Sequence, residues 1–179
     1  ERLTEVMRGV DVVFHLAALK HVPVGERHIW EFVLTNIAGT RNVIEAAKAS
    51  GVPRAVFISS DKAADPSNNY GYTKAIAEKM FIAANAHSPS TKFVCIRSGN
   101  LTGSHGSVVP LFREQIRRRN KVTITDERMT RFLEIPQDLA MFVLRMGAVG
   151  QGGEIFIPKM AAVDVGTLAN VMIKAVGNA

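Results

Sequence analysis

Three apolar runs constrain this chain more than anything else in it. DVVFHLAA, RAVFISS and KFVCIRSGN alternate with two long stretches of helical spacing, Trp30 to Ser50 and Tyr70 to His87. None of the runs alternates strictly between apolar and polar residues. Each therefore predicts a strand covered on both faces, as in a parallel sheet whose crossovers are helices. The first helical stretch stops at Gly51, a plausible cap, and a third helix is expected over Val108 to Asn120. The order predicts an α/β fold.

Beyond Asn120 the texture changes. KVTIT and TRFLEI are short extended candidates. PQDLAMFVLRMGAVG reads as a helix with proline at its start, GGEIFIPK as a strand, and Val165 to Val176 as a final helix. No strand leads into G-x-G-x-x-G, the turn in which glycine lets backbone approach a pyrophosphate. DVVFHLAA thus reads as a later strand of a nucleotide-binding fold. With the opening ERLTEVMRGV and no initiator methionine, the expectation is that a glycine-rich N-terminal unit is missing.

At 179 residues, 47% of them hydrophobic, the chain is one domain or part of one, with material for a sizeable core. It has no bilayer-length apolar run and no signal-peptide pattern, so a cytoplasmic location without membrane contact is expected. The single cysteine, Cys95 in FVCI, reads as a buried structural thiol and excludes a disulfide framework. His15 on its apolar strand reads as a core histidine, and no Cys/His/carboxylate spacing suggests a metal. The net charge of +6 gathers most clearly at Arg117, Arg118, Arg119 and Lys121. That cluster fits a solvated helix end or attraction of an anionic ligand. No basic stripe interleaved with aromatics points to nucleic acid.

The chemistry concentrates in SSDKAADPSNNYGYTKAIAEK, Ser59 to Lys79. Tyr70 and Lys74 stand four apart at a helix start, on one face. A tyrosine of ordinary pKa is a poor base at neutral pH, and a neighbouring ammonium favours its phenolate. Such a pair can take a proton from an alcohol while hydride leaves the same carbon. A hydroxyl of Ser59-Ser60, at the preceding strand's end, can hold the same alcohol. Asp61 and Lys62 follow at the carboxyl end of that strand, where open α/β sheets bind ligands. Alone, Asp-Lys before AADP also makes a good Asx-type turn. Beside a Tyr/Lys pair, an acid and an amine are what an elimination needs.

These residues resemble the extended short-chain dehydrogenase/reductases, in the polysaccharide-biosynthesis branch that contains the inverting UDP-N-acetylglucosamine 4,6-dehydratases. The matching pieces run in register: HLAALKHVPVGE, TNIAGTRNVIEAA, SSDKAADPSNNYGYTKAIAEKMFIAAN, IRSGNLTGSHGSVVPLF, ITDERMTRF and GGEIFIPKM. The resemblance implies a partial Rossmann-type parallel sheet with helices on both faces and a small C-terminal cap. Residues 1–120 would be a partial NAD(P)-binding domain and 121–179 mostly the substrate-binding cap. NADP or NAD would be the cofactor and a UDP-sugar the substrate of a homo-oligomeric lyase.

The resemblance also implies roles. Leu16, Ala17, Ala18 and Ser59 would line the coenzyme, Lys20 would reach coenzyme and substrate, and Asn36 would lie near the nicotinamide ribose. Ser60 would hold the sugar alcohol. Tyr70 would be the base at carbon 4, with Lys74 lowering its pKa and binding ribose. Lys62 would take the carbon 5 proton while Asp61 protonates the hydroxyl leaving carbon 6. Asn100 and Arg131 would contact the substrate, Arg131 through the diphosphate. By residue type alone, Lys20 and His21 also read as turn residues, Asn36 as a locally bonded helix residue, and Arg131 as a partner for Asp126. The branch usually has tyrosine, arginine and tryptophan where this chain has Ser98, His105 and Leu133, which bears on substrate contacts and not on hydride chemistry. A nucleotide-sugar epimerase is the alternative within the same class. A non-catalytic truncated relic is the alternative outside it.

Overall fold

A computed structural model describes residues 1–104 and 106–176; His105 lies outside the described residues. The elements are α1 (Arg2–Val6), β1 (Val12–His15), α2 (Val22–Gly25), α3 (Ile29–Phe32), a π-helical segment (Val33–Ala38), α4 (Gly39–Ala49), β2 (Arg54–Ser60) and a 3₁₀ turn (Asp61–Ala63). There follow α5 (Asn69–Ala84), β3 (Lys92–Ser98), β4 (Asn100–Leu101), α6 (Val108–Arg119), β5 (Thr130–Glu134), α7 (Pro136–Val149), β6 (Ile155–Phe156), β7 (Ala161–Asp164) and α8 (Val165–Val176). They form two compact units, one of Glu1–Ser98 with Ala140–Pro158, the other of Gly99–Leu139 with Lys159–Ala179.

The first unit is a Rossmann-type sheet, order β1-β2-β3-β6, parallel throughout. Successive residues of β2 and β3 serve opposite faces. Ala55, Phe57, Phe93 and Cys95 pack with Ile44 and Ala47 of α4 and Ala77 and Phe81 of α5. Phe81 is fully buried, stacked 5.2 Å from Phe57 and edge-on 5.3 Å from Phe93. Burying such a ring contributes about 2–3 kcal/mol. On the other face, Val56 and Val94 meet the end of α7 around Gly147 and Gly150. Arg54 secures that end by donating to the carbonyls of Gly147 and Gly150 at 3.1 and 2.8 Å. Helices thus cover both faces, as the unbroken apolar runs require.

The second unit holds a three-stranded sheet, order β4-β5-β7, in which β4 and β5 are parallel and β5 and β7 antiparallel. Its core joins Phe112 and Ile116 of α6 to Val165, Ala169 and Met172 of α8. α6 ends at Asn120 in the left-handed conformation (φ 49°). KVTIT is not a strand. Val122 and Ile124 pack against this core, and the Thr123 N–H donates to Gln115 Oε1 at 3.0 Å instead of to a ladder. β7 was not anticipated by the sequence reading. No helix among the described residues is long and apolar enough to cross a membrane.

Candidate active site

The carboxyl end of β2 delivers four of the expected residues, Ser59, Ser60, Asp61 and Lys62. Ser60 stays in register with Ser98 of β3, and its hydroxyl caps the 3₁₀ turn, accepting from the Lys62 N–H at 3.4 Å. The same hydroxyl donates to Asp61 Oδ1 at 2.9 Å, and Lys62 Nζ bonds that oxygen at 3.0 Å. Asp61 and Lys62 form an ion pair with partly buried side chains. Ser59 is buried, and its Oγ has no hydrogen-bond partner among the described residues.

The start of α5 brings the tyrosine to this turn. Asn68 caps the helix, its side chain accepting from the Gly71 N–H at 2.9 Å. Glu26 takes the Asn69 N–H and side-chain amide at 2.9 and 3.1 Å, which sets a carboxylate against the positive end of the helix. Tyr70 is buried. Burial holds its phenol above the ordinary value; the nearby Ser60 hydroxyl pulls the other way and Asp61 adds to the rise. The expected lowering by Lys74 is not seen. Lys74 donates to the Ile58 carbonyl and lies 4.1 Å from the Phe57 ring centroid. Burial lowers the Lys74 ammonium to about 8, against an upward pull from Glu78 and Cys95.

Asn36 lies in the π segment and is buried. Its Oδ1 accepts from the Leu19 N–H at 2.8 Å; its Nδ2 donates to the Leu19 carbonyl and to Thr73 Oγ at 2.9 and 3.0 Å. Thr73 in turn donates to the Tyr70 carbonyl at 2.9 Å. One side chain therefore ties the loop after β1, which carries Leu16, Ala17, Ala18 and Lys20, to the helix of Tyr70 and Lys74. Leu16 and Lys20 are exposed in that loop. His15 is buried, and burial, aided by Lys74, lowers it to about 4. Thr40 donates its hydroxyl proton to the Asn36 carbonyl at 2.6 Å, so the 2.9 Å contact to His15 Nε2 requires an Nε2–H donor. The sequence reading missed Thr40, Thr73, Glu26 and the Asn68 cap. Only the last had a local signal, an Asn just ahead of a helical pattern.

Asn100 and Arg131 belong to the second unit. Asn100 Nδ2 donates to the Phe132 carbonyl at 3.2 Å, and Arg131 Nη1 to the Thr130 carbonyl at 2.7 Å. Asp126 is engaged by Arg128 through two side-chain bonds of 3.0 and 2.7 Å. Ser98, in the first unit, donates to the Ser59 carbonyl at 3.3 Å, and Leu133 pairs with Asn100. Among the described residues no group of His, Cys, Asp and Glu is arranged to hold a metal ion.

A family model described as polysaccharide biosynthesis protein matches residues 1–179. The chain belongs to this family. It is 46% identical over 175 residues to the UDP-N-acetylglucosamine 4,6-dehydratase (inverting) of Campylobacter jejuni, covering 96% of this chain and 52% of that one. It is 40% identical over 180 residues to the UDP-glucose 4-epimerase of Rickettsia typhi, covering 99% and 53%. The chain spans about half the length of these curated relatives. The X-ray structure of Pen from Bacillus thuringiensis superposes with TM-score 0.94 at 44% identity, covering 99% of this chain and 55% of that one. DesIV, a dTDP-glucose 4,6-dehydratase from Streptomyces venezuelae solved with NAD and TYD bound, shares the fold. Its TM-score is 0.88 at 22% identity, with 98% and 60% covered.

Proposed function

We propose that this chain carries the catalytic residues of a nucleotide-sugar 4,6-dehydratase that acts on UDP-N-acetylglucosamine with inversion at carbon 5. The observation that carries the reading is the hydrogen-bonded cluster of Ser60, Asp61 and Lys62 at the carboxyl end of β2, with the buried Tyr70 near enough for Ser60 and Asp61 to act on its phenol. The 46% identity to an inverting dehydratase supports it.

A nicotinamide coenzyme, NAD or NADP, supplies the redox chemistry when bound. The residues present fit its nicotinamide end: the buried Ser59 hydroxyl lacks a partner, Lys74 is a buried cation, and the loop of Leu16, Ala17 and Ala18 follows β1. DesIV, with NAD bound in its own structure, supports this choice. Tyr70 takes the proton of the sugar's 4-hydroxyl, and Ser60 orients that hydroxyl. Oxidation at carbon 4 acidifies the carbon 5 proton. Lys62 removes that proton and Asp61 gives one to the hydroxyl leaving carbon 6. Asp61 and Lys62 are an ion pair in this structure, so the Lys62 proton has to pass to Asp61 as the sugar replaces that contact, before the amine can take the carbon 5 proton and the acid can give one to the leaving hydroxyl. Asn100 and Arg131 are assigned to substrate binding, Arg131 to the diphosphate.

The epimerase reading is favoured by the 40% relative, and it needs Tyr70 and Lys74 but not the Asp61–Lys62 pair. Lys62→Met in the full-length holoenzyme separates the two. With UDP-N-acetylglucosamine the variant should still reduce the coenzyme yet fail to take deuterium into carbon 5 from heavy water. Exchange at the wild-type rate removes Lys62 from the chemistry. A wild-type product that has not lost water favours the epimerase.

A further inference from the structure

The first turn of α5 touches the acid–base turn through a residue with no side chain. A Cβ placed on Gly71 would lie 2.5 Å from the Lys62 carbonyl oxygen and 3.1 Å from Pro66 Cβ. Real Cβ atoms do not approach a backbone oxygen so closely, so a side chain here must displace something. Gly71 has ordinary helical backbone, and alanine is the better helix former, so the helix itself has no need of glycine. The contact is what requires it.

What would move is decided by how each partner is held. Tyr70 and Lys74 are buried in α5, and the helix is fastened at its start by Asn68 and Glu26. Ser60 is fixed by the β2–β3 ladder. Residues 61–66 have no such ladder; among the described bonds, the Ser60 hydroxyl caps the 3₁₀ turn through Asp61 and the Lys62 N–H, and the chain after the turn is irregular. A methyl group at position 71 therefore pushes the turn, with Lys62 and Asp61, away from Tyr70, while the Tyr70–Ser60 pair keeps its place.

We infer that Gly71 is a positioning residue for the elimination half of the reaction: its bare backbone lets the Asp61–Lys62 turn seat against the helix that carries Tyr70. The inference rests on the dehydratase reading above, and two steps of one turnover test it separately from that reading. Gly71→Ala in the full-length holoenzyme, given UDP-N-acetylglucosamine, should reduce the coenzyme at close to the wild-type rate. Carbon 5 deuterium uptake and loss of water should fall by about a hundredfold, the scale of an ångström misplacement. Pro66→Ala, which loosens the same turn from its other end, should lower uptake by about tenfold with reduction again retained. Should Gly71→Ala not fold, Pro66→Ala carries the test. Undiminished uptake, or reduction and uptake falling together, overturns the role of Gly71. A wild-type enzyme that takes up no deuterium at carbon 5 instead overturns the dehydratase reading.

Discussion

At the scale of single residues, burial governs the candidate site. Tyr70 is held above its ordinary pKa by burial, so less of it is phenolate at neutral pH here than in water. In the proposed reaction its work as a base would depend on the alcohol and coenzyme placed against it, an interaction made in the transition state. Removing the hydroxyl while keeping the ring should then cost rate and not affinity. Tyr70→Phe in the full-length enzyme should lower kcat by about 10²–10⁴-fold and leave KM within about threefold. Steady-state kinetics with UDP-N-acetylglucosamine check this. A proportionate rise in KM with kcat unchanged would make Tyr70 a binding residue only. Lys74 carries a cost of its own, since a cation kept out of water and lowered to about 8 is less stable there than in the unfolded chain.

At the scale of elements, α5 is the part most heavily fastened. Asn68 and Glu26 hold its start. Glu78 receives Arg97 of β3 through bonds of 2.8–3.2 Å. Asn85, just past its end, pairs with both the N–H and the carbonyl of Phe93 at 2.9 Å. The loop before β6 closes over this last contact. Gly152 has φ 104°, and a Cβ on it would fall 2.4 Å from Asn85 Oδ1. Gly152→Ala therefore suffers both a left-handed backbone penalty and a broken Asn85–Phe93 pair. It should destabilise the protein by about 2–3 kcal/mol, read as a lower urea midpoint at unchanged slope. An unchanged midpoint would mean the loop relaxes without cost. The π segment is the other telling element. Its extra residue per turn places Asn36 where it bridges Leu19 and Thr73, a bridge between residues far apart in the chain.

At the scale of the whole molecule, pH acts through the core of the first unit. His15 titrates at about 4 when folded and near 6.5 when unfolded. Below pH 6.5 the unfolded chain takes up the proton first, so stability falls as the pH drops from about 6.5 to 4 and is flat above. The full effect is about 3 kcal/mol, with burial the main cause and the Lys74 charge the second. Lys74 works in the opposite range. Its folded value of about 8 lies below the unfolded one, so stability gains between pH 8 and 10.5 as the buried amine loses its charge. His15→Phe should remove most of the loss between pH 6.5 and 4 in equilibrium unfolding. If the variant loses stability in acid as steeply as the wild type, other groups control that limb.

Much of the first unit is legible in the sequence because its signals are local. RAVFISS coincides with β2, and the 70–87 pattern with α5 and the 3₁₀ turn that follows it (Asn85–His87). Apolar runs without alternation state directly that both sheet faces are covered, and the four-residue step from Tyr70 to Lys74 places both on one helix. Elsewhere the same kind of pattern misleads. KVTIT alternates like a strand, yet it serves as a clamp on the core of α6 and α8, because a Gln115 side chain supplies the bond a neighbouring strand would have supplied. β7, AAVD, carries neither an apolar run nor a clear alternation and exists through its pairing with β5. The orientation of Lys74 toward the Ile58 carbonyl, the lone Ser59 hydroxyl, and the return of the chain to the first unit at Ala140 have no local signature at all. Periodicity thus determined which segments become strands and helices and which reactive side chains share a face. Which backbone atom stands against which side chain, as Gly71 against Lys62 and Asn36 against Leu19, was decided only by tertiary packing, since those partners meet through space and not along the chain.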